Sequence, residues 1–287
     1  MTVELSVVIP AHNAAATIGE QLKALAQQRW DHPWEVLVIE NGSSDGTAEQ
    51  VEAHRSQLGD RLRLVRSERA GASFARNLGA AEAEADHIAF VDADDVVADG
   101  WLAAMGSALR HHAFATGPLE LDRLNPRWLA NSRGRTTGRV APTFYGIFPY
   151  AHGCNMGAHR GLWHEVGGLD ERIMATEEIE LSLRMWLTGA PAAFVPEAVI
   201  HYRYRTQMHQ LWRQGLSYGR WRPLVARRLI EAGRERPARL AGWRSWANLL
   251  RLLPGAGSAE GRALLAWTAG NRLGHVVGSV EHRTLLL

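Results

Sequence analysis

The 287 residues are 46% hydrophobic and 22% charged, proportions of an ordinary globular protein, and the length suits one large α/β domain or one and a half. A single cysteine, Cys154, excludes an intrachain disulfide and fits a reducing compartment, and no apolar run reaches the ~18 residues of a membrane-spanning helix. The net charge of +2 conceals a polarity, because residues 1–200 carry 17 basic and 26 acidic groups while residues 201–287 carry 15 and 4. LSVVIP (Leu5–Pro10) is an apolar run ended by proline and predicts a buried strand; with no basic region or cleavage site before it, no signal peptide is expected and the chain should be cytoplasmic. Thr17 and Glu20 suggest a capping box ahead of Ile18, Leu22 and Leu25 at helical spacing. VLVIE (Val36–Glu40) predicts a second strand, Gly42–Gly46 a turn, and Thr47 with Gln50 a second capped helix. LRLV (Leu62–Val65) and IAFV (Ile88–Val91) predict two more strands around an Ala-rich helix at Ser73–Glu84.

Strands alternating with helices predict an α/β fold, a mostly parallel, Rossmann-like sheet flanked by helices. From Leu119 to Tyr150 the pattern dissolves into a long loop or short irregular strands. A short helix is expected at Leu162–Val166, a longer one at Glu177–Leu187 and a strand–turn–strand unit at Ala192–Arg205. Beyond His209 the chain reads as helices broken by Gly and Pro. This basic end mixes Arg with Trp and Leu, as in WRSWANLLRLL (243–253), which suits an anionic membrane surface better than nucleic acid. A solvated surface in a chain whose one lysine is Lys23 explains it equally.

Ligands of parallel sheets sit beyond the carboxyl ends of the strands, where His12, Asn13, Glu40, Asn41, Asp92 and Asp94 fall. The turn AHNAAAT lacks G-x-G-x-x-G, which argues against a dinucleotide dehydrogenase, and G-x-x-x-x-G-K-[ST] is absent as well. In HIAFVDADDVV (87–97) an apolar strand runs into Asp92, Asp94 and Asp95. Carboxylates so crowded raise one another's cost of ionisation; either they cap a turn or a cation holds them.

Six motifs in order, SVVIPAHN, ENGSSDGT, RAGASFARNLG, VDADD, GCNMGAHR with GGLDE, and EEIELSLR, resemble glycosyltransferase family 2, inverting enzymes of the GT-A fold, over roughly Glu4 to Tyr218. The resemblance implies a catalytic domain at 1–205, with a nucleotide-sugar half (1–117) and an acceptor half (118–205), followed by a helical basic C-terminal extension at 206–287. It implies transfer of one sugar from a nucleoside-diphosphate sugar, UDP-sugars favoured, to a hydroxyl of a glycan or glycolipid in envelope or polysaccharide synthesis. VDADD corresponds to the family's DxD motif: Asp94 would bind Mn²⁺ or Mg²⁺, Asp92 would reach the ribose or the metal, and His201 would complete the metal shell. Pro10, Ala11 and Asn13 would line base and ribose, and Glu40 would contact the base although the family commonly has Asp there. Arg76 either reaches the nucleotide or forms an internal ion pair with the DxD loop. In TEEIELSLR, Glu178 takes the place of the family's catalytic base, with Glu177 as the alternative. Gly153, Cys154, Asn155 and Met156 match the segment whose amides approach the donor phosphates. No nucleic-acid partner is expected. The rival readings are a nucleotide-binding pseudoenzyme serving as scaffold, and a membrane-surface adaptor with a structural α/β domain.

Overall fold

A computed structural model describes residues 2–132, 140–235, 237, 246 and 249–286. Seven strands form the main sheet: β1 (Leu5–Ala11), β2 (Trp34–Asn41), β3 (Leu62–Ser67), β4 (His87–Val91), β6 (Phe114–Thr116), β10 (Asn155–His159) and β11 (Ala193–Phe194). Their order is β11-β6-β10-β4-β1-β2-β3, and all neighbours are parallel except β10, which runs antiparallel to both β4 and β6. A small sheet of β5 (Val96–Val97), β12 (Ile200–His201) and β7 (Leu119–Glu120), and a hairpin of β8 (Thr143–Phe144) and β9 (Phe148–Pro149), lie beside it.

Period-two alternation along the strands supplies two cores. Leu5, Val7 and Ile9 face one layer, covered by α1 (Ile18–Ala26), α2 (Thr47–Ala53) and α5 (Trp101–Leu109), with the one-turn α3 (Arg55–Leu58) at its rim. Val8, Leu37, Ile39 and Phe90 face the other, covered by α4 (Ala72–Glu82), α7 (Arg160–Glu165) and α8 (Glu177–Leu187). The short α6 (Arg127–Asn131) falls inside the stretch expected to be irregular; residues 133–139 of that stretch lie outside the described residues.

The capping expectations need revision. Thr17 is the N-cap of α1, but its hydroxyl donates back to the Ala14 carbonyl and caps nothing. Thr47 is already inside α2, and Asp45 accepts from both its amide (3.2 Å) and its hydroxyl (2.5 Å). Gly233 follows the end of α9 (Met208–Glu231), and Pro254, Gly255 and Gly257 form a turn ahead of the last helix, as the expected breaks do, but the other described glycines lie inside helices. The helix α9 runs unbroken through Gly215, Gly219 and Pro223, and α10 (Ala259–Glu281) through Gly270, Gly274 and Gly278. A Cβ at Gly219 would collide with the Asn271 carbonyl, one at Gly274 with that of Leu216 and one at Gly278 with that of Arg220. Gly215 meets Trp267 and Asn271 while Gly219 meets Asn271 and His275, so the two helices run in the same direction with their backbones in contact.

Val225, Ala226 and Leu229 of α9 share a core with Ile179 and Leu183 of α8 and with Phe144 and Phe148 of the hairpin. The helix α9 is therefore docked onto α8 and the hairpin. Of the stretch WRSWANLLRLL, residues 243–245, 247 and 248 lie outside the described residues. No helix among the described residues is long and apolar enough to cross a membrane.

Candidate functional site

At the carboxyl ends of β1, β2 and β4 the sheet opens into two adjoining clefts that share Ala72, Arg76, Asp92 and Arg205. The first, about 490 Å³, is lined by Pro10, His12, Asn13, Asn41, Asp94 and Arg203 among others. Asn13 sits at φ 50°, held there by the turn after β2: its amide donates to Ser43 Oγ (3.0 Å) and its Oδ1 accepts from the Ser44 amide (2.9 Å). Alternation puts Pro10 on the cleft and Ala11 fully in the core. Glu40 is buried with its carboxylate accepting from the Ser43 amide at 2.6 Å, and Asn41 lines the cleft in its place. The Asn41 Oδ1 is buried without a hydrogen-bond partner.

Beyond β4 the chain turns through Asp92–Asp95. Arg76 of α4, 5% exposed, donates to Asp92 Oδ1 (2.5 Å) and to Glu177 Oε1 (3.3 Å). Burial opposes its charge, but Asp92, Glu177 and Glu178 hold the guanidinium well above its ordinary pKa. The internal ion pair is thus present, and it joins the DxD turn to the start of α8. Asp95 turns inward, accepting from the Arg203 amide (2.8 Å) and bonding the Cys154 thiol. Burial, then the Asp95 and Asp92 charges, raise that thiol far above its ordinary value, so Cys154 stays protonated. Asp92, Asp95 and Cys154 form the one triad of ligand-type atoms close enough for a single ion among the described residues.

Asp94 faces the cleft with its Oδ2 3.9 Å from an Arg205 nitrogen. Burial and the neighbouring Asp92 raise its pKa, a cost that a bound cation would relieve. Two carboxylates on one turn at a cleft mouth are hard oxygen donors and fit Mg²⁺ or Mn²⁺. His201 stands on β12 opposite Val96 with its Nδ1 on Glu120 Oε2 at 2.6 Å. It lines neither cleft and belongs to no such triad among the described residues, and past it Tyr202 and Tyr204 line the second cleft.

The second cleft, about 500 Å³, is floored by Glu178 and Gly153 and walled by Tyr150, Tyr218, Arg222 and Trp267. Glu178 follows Thr176, which caps α8 in the left-handed region at φ 62° with its hydroxyl buried and unpartnered. A non-glycine residue held there at a cleft is strain of the kind found at functional sites. Burial, then the charge of Glu177, raise the Glu178 pKa to about 8. Gly153 leaves room beside it, since a Cβ there would stand 3.6 Å from Glu178 Cβ. Cys154 follows it, but Asn155 and Met156 are wholly buried. The Asn155 side-chain amide donates to the carbonyls of Pro118 and Ala198 and accepts from Trp101 Nε1, so it clamps β10 to α5 and to the segments that enter the small sheet.

Residues 6–166 match the family described as "Glycosyl transferase family 2". The chain belongs to that family. The matched stretch takes in the strands from β1 to β10 and the Asp92–Asp95 turn; Glu178, β11, β12 and the two C-terminal helices lie past it. A probable N-acetylgalactosaminyltransferase 9 of Caenorhabditis elegans is 27% identical over 196 residues, 59% of this chain and 34% of that protein. The chain spans between 24% and 46% of the length of the curated relatives it matches. Among solved structures, the mannosyltransferase PcManGT of Pyrobaculum calidifontis, in complex with GDP-Man and Mn²⁺, superposes with a TM-score of 0.66 at 19% identity, covering 99% of this chain and 88% of that one. TarS 1–349 of Staphylococcus aureus in complex with UDP-GlcNAc gives 0.56 at 16% identity, covering 98% and 93%. Both identify the fold of this family 2 member as GT-A.

Tyr218, Arg222 and Trp267 were not legible as cleft residues. They come from helices whose glycines look like breaks; α9 reaches Glu178 through its apolar contact with α8, and the glycine-to-backbone contacts hold α10 against α9. Asn41 was visible as one of the polar residues at the strand ends.

Proposed function

We propose that this chain transfers a single sugar, with inversion, from a nucleoside-diphosphate sugar to an acceptor hydroxyl, and that the reaction depends on a divalent cation. The observation that carries the reading is the placement of Glu178 in the cleft that adjoins the DxD turn, with Arg76 bonded to both Asp92 and the start of α8. The first cleft would take the donor, its nucleoside between Pro10 and Asn13 and its base beside Asn41, whose buried Oδ1 has no partner. UDP-sugars remain the favoured donors. Asp94 and Asp92 would hold the cation, with His201 supplying Nε2 once Nδ1 is fixed by Glu120, the arrangement in which a histidine ligand is oriented by a carboxylate. The cation would neutralise charge building on the departing diphosphate.

The chain's own residues do the rest. Arg205, near Asp94 and shared by both clefts, meets the diphosphate. Glu178 takes the proton of the acceptor hydroxyl as oxygen attacks the anomeric carbon from the face opposite the diphosphate. A base whose pKa lies near 8 is matched to that task, since it is strong enough to accept the proton and still ionises close to neutrality. The acceptor would be a glycan or glycolipid. The arginines of the C-terminal helices, with Leu250, Leu253 and Val280 exposed, would bring the second cleft to an anionic membrane surface. Liposome co-sedimentation that is indifferent to anionic lipid would remove that last element alone.

The test is thermal stability with UDP, GDP, dTDP and CDP, each with and without Mn²⁺, on wild type and Asp94→Ala. A cation-dependent rise for one nucleotide, absent in the variant, is expected. No rise for any nucleotide would favour the scaffold reading.

A further inference from the structure

The charges of the second cleft do not cancel. Arg76 is matched by Asp92 and Glu177. Arg222, on α9, lines only this cleft and has no carboxylate within ion-pair distance among the described residues. It donates to the Tyr150 hydroxyl, and its Nε–H is buried without a hydrogen bond among the described residues. The Arg272 guanidinium of α10 and the Glu178 carboxyl both lie close enough to feel its charge, but burial keeps Glu178 protonated up to about pH 8, so no ionised partner answers Arg222 from there near neutrality. Arg222 is half-buried, and a buried donor such as its Nε–H left without a partner is costly, a cost that a bound anion would relieve. Around it, Tyr150, Tyr218 and Trp267 offer flat apolar faces suited to a pyranose ring.

We propose that the acceptor carries an oxyanion, a carboxylate or phosphate monoester attached to the sugar or polyol whose hydroxyl is glycosylated, and that Arg222 is the residue that reads it. The proposal rests on the transfer reading for the word acceptor, but the anion site itself is testable without turnover. Arg222 presents its planar fork from the wall of the cleft that Glu178 floors. An anion held there places a neighbouring hydroxyl of the same molecule at the base. Neutral sugars would bind the aromatic wall alone and leave Arg222 unmatched.

The experiment measures binding of matched probes to the full chain by ligand-observed NMR, with no donor present: methyl glucoside, glucuronic acid and glucose 6-phosphate, then glycerol against glycerol 3-phosphate. An anionic probe is expected to bind about tenfold or more tightly than its neutral counterpart, as a charge-assisted hydrogen bond implies. The uronic acid and the phosphates then separate carboxylate from phosphate recognition. In Arg222→Gln the ratio should fall to about one, and Arg222→Lys, which keeps charge without the fork, should retain part of it. Because the ratio is taken within each protein, a general loss of affinity cancels. Equal binding of neutral and anionic probes to wild type, no detectable binding of any probe, or a ratio unchanged in Arg222→Gln overturns the proposal. Release of nucleoside diphosphate from donor sugars, assayed separately, decides the transfer reading; its failure alongside an intact anionic preference would leave the anion site standing and remove only the name acceptor.

Discussion

Glu178→Gln tests whether the candidate base is held protonated by its surroundings. In the folded chain Glu178 keeps its proton up to about pH 8, against an ordinary 4.5, because it is buried beside Glu177. Below 4.5 the carboxyl is neutral both folded and unfolded, and burial costs nothing in charge. Between 4.5 and 8 the unfolded chain ionises while the folded chain holds its proton, so stability falls by up to about 1.4 kcal/mol per pH unit. Above 8 the whole cost, about 5 kcal/mol as an upper bound, is present and constant. Glutamine has no proton to lose and escapes it. The variant should therefore gain on wild type as pH rises, by about 3 kcal/mol between pH 6 and pH 9. Urea denaturation of both proteins at pH 6, 7.5 and 9, without nucleotide or divalent cation, measures the gap. A gap that does not change with pH would refute the reasoning, and one that grows equally in Glu177→Gln would assign the proton to the pair as a whole. The same substitution should lower kcat by about 10²–10⁴-fold if Glu178 is the base. In wild type, kcat/KM should climb toward pH 8 as the free carboxyl ionises.

Arg76→Met leaves Asp92 and Glu177 facing each other without their shared cation, and should destabilise the fold by about 3–5 kcal/mol, read by thermal or urea denaturation. Loss of less than about 1 kcal/mol would mean that the pair is solvated in solution. Gly219→Ala drives a methyl into the Asn271 carbonyl of α10; a loss of about 1–3 kcal/mol or more is expected, with probe binding in the second cleft lost in parallel, whereas Gly233→Ala, beyond α9 in open space, should leave that binding intact despite its positive φ. His201→Ala should weaken Mn²⁺ binding about 10–100-fold, followed by calorimetry; unchanged affinity would leave His201 as a partner of Glu120 alone.

The apolar runs and their polar boundaries made the sheet legible. Val36–Glu40 and Ile88–Val91 fall within strands, and the Glu177–Leu187 periodicity coincides with α8 at both ends. The residues that failed were those whose role depends on a distant partner. Thr47 looked like a cap because Gln50 sits at the right spacing, yet Asp45 had already claimed its amide and hydroxyl. Arg76 could not be assigned to nucleotide or ion pair from sequence, since Glu177 is 101 positions away. Asn155 looked like a loop residue at the donor phosphates, and it is a buried clamp because β10 enters the sheet antiparallel between β4 and β6. The glycines inside the C-terminal helices misled for the same reason. Glycine weakens an isolated helix, but between two helices it is what lets their backbones touch.

That contact bears on how the cleft can adapt. Where helices meet through long side chains, rotamer changes let the spacing between them yield to a guest. Between α9 and α10 there are no such side chains at Gly219, Gly274 or Gly278, so the wall carrying Tyr218, Arg222 and Trp267 behaves as a stiff plate. A bulkier guest cannot push its way in, and a smaller one is not followed by the wall. Widening the range of substrates would therefore come from trimming Tyr218 or Trp267 at the surface of the plate, with its seam left as it stands.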